Sequence, residues 1–82
     1  MTETPEEKAE RLIQWNLRTQ NEMLIISNSK LRVVPEAIGN LIHLKKLYLP
    51  SNLLTALPES MSRLHQLTDL WIQDNSLTTL PE

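Results

Sequence analysis

Cysteine and phenylalanine are absent from the 82 residues, and glycine occurs once. Without cysteine there is neither a disulfide framework nor a thiolate metal site. One glycine cannot build a phosphate-cradling loop or a dinucleotide fingerprint, and no HExxH or GxSxG motif is present. Basic residues never cluster beyond the pair Lys45-Lys46 and the formal net charge is −2, so the electrostatic footprint of a phosphate-backbone binder is missing. No apolar run approaches the roughly 18 residues of a membrane span. The opening TETPEEKAER is charged and lacks a signal-peptide apolar region, and no N-x-[ST] glycosylation acceptor occurs. The expectation is a soluble, cytoplasmic chain with no cofactor, no metal, and neither nucleic acid nor membrane as partner.

What the chain does have is leucine arranged by period. Apolar residues make up 40%, with only two Trp and one Tyr, so the core must be built from branched aliphatics. Leu57-Pro58 recurs at Leu80-Pro81, and Val34-Pro35 stands at the same 23-residue interval before it. In that register the segments are NEMLIISNSKLRVVPEAIGNLIH, LKKLYLPSNLLTALPESMSRLHQ and LTDLWIQDNSLTTLPE. They share the pattern LxxLxLxxNxLxxLPxx(I/M)xxLxx, and the third copy stops after its proline.

Each LxL step has period two, which in a strand points both leucines to one side and the residue between them to the other. Leu24, Leu47 and Leu70, then Ile26, Leu49 and Ile72, are therefore inward positions. Leu31, Leu54 and Leu77 follow, then Val34, Leu57 and Leu80. Farther on, Ile38, Leu41 and Leu44, like Met61, Leu64 and Leu67, recur every third residue, the spacing of a 3₁₀ or short helical return. Strand plus return makes one coil, and stacked coils set their strands side by side in a parallel sheet. Asn52 and Asn75 fall where the chain turns inward, where a side-chain amide can pair backbone groups of the turn. Ser29 takes that place in the first copy, so this structural ladder should be weakest there.

These residues resemble the leucine-rich-repeat family, in its 23-residue intracellular type with LPxxI in the return, as in Ras-group, Scribble-like and many bacterial repeat proteins. The resemblance covers residues 21 to 82 and implies an α/β repeat fold. That fold is a right-handed solenoid with short parallel strands on a concave face and 3₁₀ or helical returns on the convex face. The expected division is a capping helix over 1–20 and repeats over 21–43, 44–66 and, partial, 67–82. For the cap, Thr4-Pro5-Glu6-Glu7 is a helix start: Thr as N-cap, Pro in the first turn, Glu7 placed for a capping box. The helix should run to about Arg18 with Ala9, Leu12, Ile13 and Leu17 on its covered face.

Function is expected at the outward strand positions. Met23, Lys46 and Asp69 form one row, Ile25, Tyr48 and Trp71 the next, followed by Ser27, Pro50 and Gln73 and then Asn28, Ser51 and Asp74. The apolar and aromatic row has no core to fill, and Tyr and Trp are enriched at binding hot spots; cross-strand packing is the competing use. The expected partner-binding set is Ile25, Tyr48, Trp71, Met23, Lys46, Asp69, Gln73 and Asp74, with Lys46 and Asp69 forming a surface ion pair. The resulting reading is a protein or peptide interaction module, not an enzyme. Its alternatives are a scaffold fragment that nucleates a longer array, or the repeat part of a larger enzymatic or effector protein. Leu70, Ile72, Leu77 and Leu80 lack a following coil, which predicts homodimer contacts there, with antiparallel pairing around residues 70 to 73. Pro50, which removes a backbone donor where the middle strand ends, should keep the ladder short and limit each strand to about three residues. His43 and His65 should be exposed return-loop residues, and Gly39, aligned with Ser62, should have no special role.

Overall fold

The computed structural model describes residues 2–78. Helix α1 (Pro5–Thr19) is followed by three strands, β1 (Met23–Ile25), β2 (Lys46–Tyr48) and β3 (Asp69–Trp71). Two 3₁₀ turns, Glu36–Asn40 and Glu59–Arg63, lie between successive strands. The strands form one parallel sheet in the order β1-β2-β3. Its register pairs Met23 with Lys46 and Asp69, Leu24 with Leu47 and Leu70, and Ile25 with Tyr48 and Trp71. The 23-residue spacing is thus the pairing register itself. Leu80 lies outside the described residues.

The core follows the inward positions. Leu24, Ile26, Leu31, Val34, Ile38, Leu41 and Leu44 are buried with Leu47, Leu49, Leu54, Leu57, Met61 and Leu64 in one cluster, and Ile72 and Leu77 pack against it. The three-residue apolar spacing of the return is matched by its backbone. Ile38 donates to the Pro35 carbonyl, Leu41 to Ile38 and Leu44 to Leu41, each three residues back. The second return repeats this through Met61, Leu64 and Leu67.

Helix α1 begins with both halves of a capping box. Glu7 donates its backbone N–H to Thr4 Oγ1, and the Thr4 N–H donates to Glu7 Oε1 at 2.9 Å. Ala9 and Ile13 are buried against the first coil, with Leu12 and Leu17 partly buried. The helix ends at Gln20 in the left-handed region, φ 58°, whose N–H returns to the Asn16 carbonyl.

Gly39 has a role that alignment with Ser62 hides. Its φ is not positive, but a Cβ there would stand 2.7 Å from both the Cβ and the carbonyl oxygen of Ser60. The returns of adjacent coils pack this closely because Gly39 has no side chain, and Ser60 Oγ donates to the Glu36 carbonyl across the same seam. Gly39→Ala is expected to destabilise the fold by about 1–3 kcal/mol, the usual range for forcing extra volume into a packed site. Urea unfolding checks this; an unchanged midpoint would contradict it.

Asn28, Ser51 and Asp74 are not strand positions. They lie past the strands at φ 49°, 59° and 58°, as the residues that reverse the chain before each ladder position. Asn and Asp tolerate this region better than serine does. Ser51→Gly should therefore raise stability by up to about 1 kcal/mol, because the left-handed conformation carries no Cβ penalty for glycine. A lower melting temperature for Ser51→Gly would contradict that reading.

The strands have the three-residue length expected from Pro50, and single backbone bonds continue past them. The Pro50 carbonyl accepts from the Asn28 N–H at 3.1 Å, while Ser51 donates to the Gln73 carbonyl at 3.0 Å. Pairing therefore continues into the turn. The ion pairs differ from expectation. Lys46 and Asp69 form no salt bridge among the described residues; Lys45 pairs instead with Glu22 and Arg11 with Glu3, both at 2.9 Å. Hydrogen bonds from these cations hold the Glu22 and Glu3 carboxyls below their ordinary range. Any stability they give is complete above the unfolded carboxylate pKa and fades as pH falls through the lower folded values. Both pairs are exposed, so the pH-dependent part should vanish at high salt.

Candidate functional site

The outward residues of the three strands form a shallow, open surface, and the rows expected there are adjacent in space through the strand register. Ile25 and Trp71 are each 50% exposed although both are large and apolar, and Tyr48 between them is half-buried. Tyr48 and Trp71 stack, with ring centroids 4.5 Å apart and planes 22° from parallel. Cross-strand packing and an available apolar surface therefore coexist: the stack organises the rings and leaves half of the indole in solvent. Met23 and Asp69 are half-buried and Lys46 is exposed in the next row, and Gln73 and Asp74 are exposed beyond the strand.

Behind this surface, the ladder of amides fixes the turns. Asn52 Oδ1 accepts from the backbone N–H groups of Ser29 and Leu31 at 3.0 and 3.2 Å. Its Nδ2 donates to the Ile26 carbonyl at 2.7 Å and lies within 3.2 Å of the Leu49 and Pro50 carbonyls. Asn75 repeats the motif one coil later: Oδ1 accepts from Leu54 N–H, and Nδ2 reaches the Leu49, Ile72 and Gln73 carbonyls. Each amide thus serves its own turn and the turn of the preceding coil. Ser29 does not repeat this arrangement. Its hydroxyl donates to the Ser27 carbonyl and accepts from Lys8 Nζ of α1 at 3.0 Å.

The structure also shows a polar pair that sequence reading missed. Asn16 lies fully buried on the covered face of α1, and its Nδ2 donates to the carbonyls of Asn21 and Met23. With both amide hydrogens engaged, Oδ1 faces His43 Nε2 at 2.7 Å. An amide oxygen only accepts, so Nε2 carries the proton. His43 is therefore not an exposed loop residue; it is half-buried and fastens the first return to the helix. His65 is exposed. The available signal was spacing: Asn16 follows Ala9 and Ile13 at helical intervals, so the apolar stripe itself directs it inward.

A hollow of about 240 Å³ lies on the side where the chain leaves the turns, lined by residues 32–36 and 55–58. It is open, and its only charged residues are Arg32 and Glu36. Among the described residues no group of three or more His, Cys, Asp or Glu is placed to hold a metal. No helix among them is long and apolar enough to cross a membrane.

Repeating strands in parallel register, an amide at the second and third turns and leucines stacked behind them define a repeat protein with one open sheet face. Residues 21–80 match the family model described as Leucine rich repeat. The chain belongs to the leucine-rich-repeat family. Domains of this family generally mediate protein–protein interaction and are typically non-enzymatic. No curated protein matches the chain.

Proposed function

We propose that this chain binds a protein or peptide on its open sheet face, through the row Ile25, Tyr48 and Trp71 with Met23, Lys46, Asp69, Gln73 and Asp74 around it. The observation that carries the reading is the aromatic stack, half in solvent, in a row where no side chain is needed for the core. Large rigid rings give contact area at little entropic cost, which is why Trp and Tyr dominate binding energy elsewhere. The coils are read as a right-handed solenoid of the 23-residue type, with α1 as its cap and the sheet on the concave side.

Selection from a displayed random-peptide library, followed by calorimetry of the recovered peptides, tests this. Trp71→Ala should weaken binding by about tenfold or more, the equivalent of about 1.4 kcal/mol, with circular dichroism unchanged. Peptides that bind Tyr48→Ala and Trp71→Ala as tightly as the parent would overturn it.

One observation favours a second use of the third coil. Leu70 is 38% exposed, whereas its register partners Leu24 and Leu47 are 3% and 0% exposed. A further coil or a second copy of the chain against Leu70, Ile72 and Leu77 would cover it, in the latter case by antiparallel pairing around residues 70 to 73. Sedimentation velocity from micromolar to millimolar concentration distinguishes a self-associating chain from a monomer.

A further inference from the structure

We propose that the sheet face receives an arginine-bearing extended peptide, with the guanidinium on the free face of Trp71 and Asp69 as its counter-charge. This rests on the sheet-face reading above and adds the chemistry of the partner. Tyr48 covers the face of the indole that looks toward β2. The opposite face meets no other aromatic ring among the described residues. A ring face carries negative electrostatic potential, and a planar guanidinium both stacks on it and forks to a carboxylate.

The carboxylate stands beside it. Asp69 precedes Trp71 by two residues on β3, so the strand's period of two sends both side chains to the same face. Among the described residues Asp69 makes no salt bridge and no side-chain hydrogen bond, and neither does Asp74, three residues past Trp71. Lys46 is exposed and aligned with Asp69 in the register but does not bridge to it, so the Asp69 carboxylate has no direct ion-pair partner among the described residues. The face therefore presents an unbridged carboxylate on the same side of the sheet as a half-exposed indole.

The other end of the row fixes a second preference. Ile25 lies two strands away from Trp71, a separation of roughly 10 Å at about 4.8 Å per strand. A peptide crossing the strands in the extended polyproline II conformation advances about 3.1 Å per residue and returns every third side chain to the same face. An apolar side chain seated on Ile25 therefore stands about three residues from the arginine, giving the order apolar-x-x-Arg.

The test titrates the whole chain with three blocked tetrapeptides, acetyl-Leu-Ser-Ser-Arg-amide and its citrulline and lysine counterparts. The indole N–H resonances are followed by NMR and assigned with Trp15→Phe. The arginine peptide should shift the Trp71 indole and leave that of Trp15 in place. Citrulline, which keeps the shape without the charge, should bind about tenfold more weakly. Asp69→Asn should reduce the arginine peptide to the citrulline level while the dispersion of the spectrum stays unchanged. Equal shifts from the arginine and citrulline peptides, or none from either, would overturn the proposal. If display selection returns peptides without basic residues that still depend on Trp71, the arginine assignment fails and the sheet-face reading stands.

Discussion

Asn52→Ala is expected to lower the unfolding free energy by about 3 kcal/mol, a large fraction of the stability of a domain this small. The substitution removes more than one contact. The backbone N–H groups of Ser29 and Leu31 lose their shared acceptor, and the Ile26 carbonyl loses its donor at 2.7 Å. Asn52 is buried, and each buried group left unpaired costs about 1–3 kcal/mol; partial access of water near Ser29 holds the total below a simple sum. Asn52→Asp should also destabilise, because a carboxylate keeps the acceptor, loses both donors and places a charge among carbonyl oxygens. Urea unfolding followed by circular dichroism gives both values. An Asn52→Ala midpoint within error of the parent would show that the ladder is dispensable.

Asn16→Ala should be next in size, with a loss of about 2–3 kcal/mol. The carbonyls of Asn21 and Met23 lose their donor, and the His43 Nε2–H loses its acceptor. His43→Ala alone should cost less, about 1 kcal/mol, because it deletes the half-buried partner and leaves only one group, Asn16 Oδ1, without its hydrogen bond. The two substitutions share one hydrogen bond, so their combined cost should fall below the sum, and a double-mutant cycle measures the difference. Additive costs would mean that the contact contributes nothing. If α1 protects the first coil, Asn16→Ala should also speed hydrogen exchange at the amides of residues 23–26 more than at those of β3.

Much of the fold was legible because one interval governs it. The spacing that aligns Leu24 with Leu47 and Leu70 is the spacing of the paired strands, and the same interval sorts inward from outward residues. The start of α1 was equally readable, since Thr4, Pro5 and Glu7 each act locally. What was not legible depends on contacts between coils that the interval does not encode. Gly39 aligns with a serine, yet it meets Ser60 of the next return, a neighbour invisible to alignment. Asn16 and His43 lie 27 residues apart; Asn16 stands outside the repeats, and His43 aligns with Gln66, so the interval pairs neither with the other. Lys46 was paired with Asp69 by register alone, whereas Glu22 lies within reach of Lys45 and takes it. Of the candidate site, the positions of the outward row followed from periodicity; the stacking of its rings needed coordinates.

The amide ladder has a direction. Asn52 completes the turn that holds Ser29 and Leu31, and Asn75 completes the one that holds Leu54. Each of these two turns is therefore finished by a residue synthesised more than twenty positions later. In a nascent chain the N–H groups of Ser29 and Leu31 therefore stay with water until Asn52 has left the ribosome. Folding of this chain during synthesis is thus retroactive: each new coil closes the one before it, and the most recent coil is always the open one.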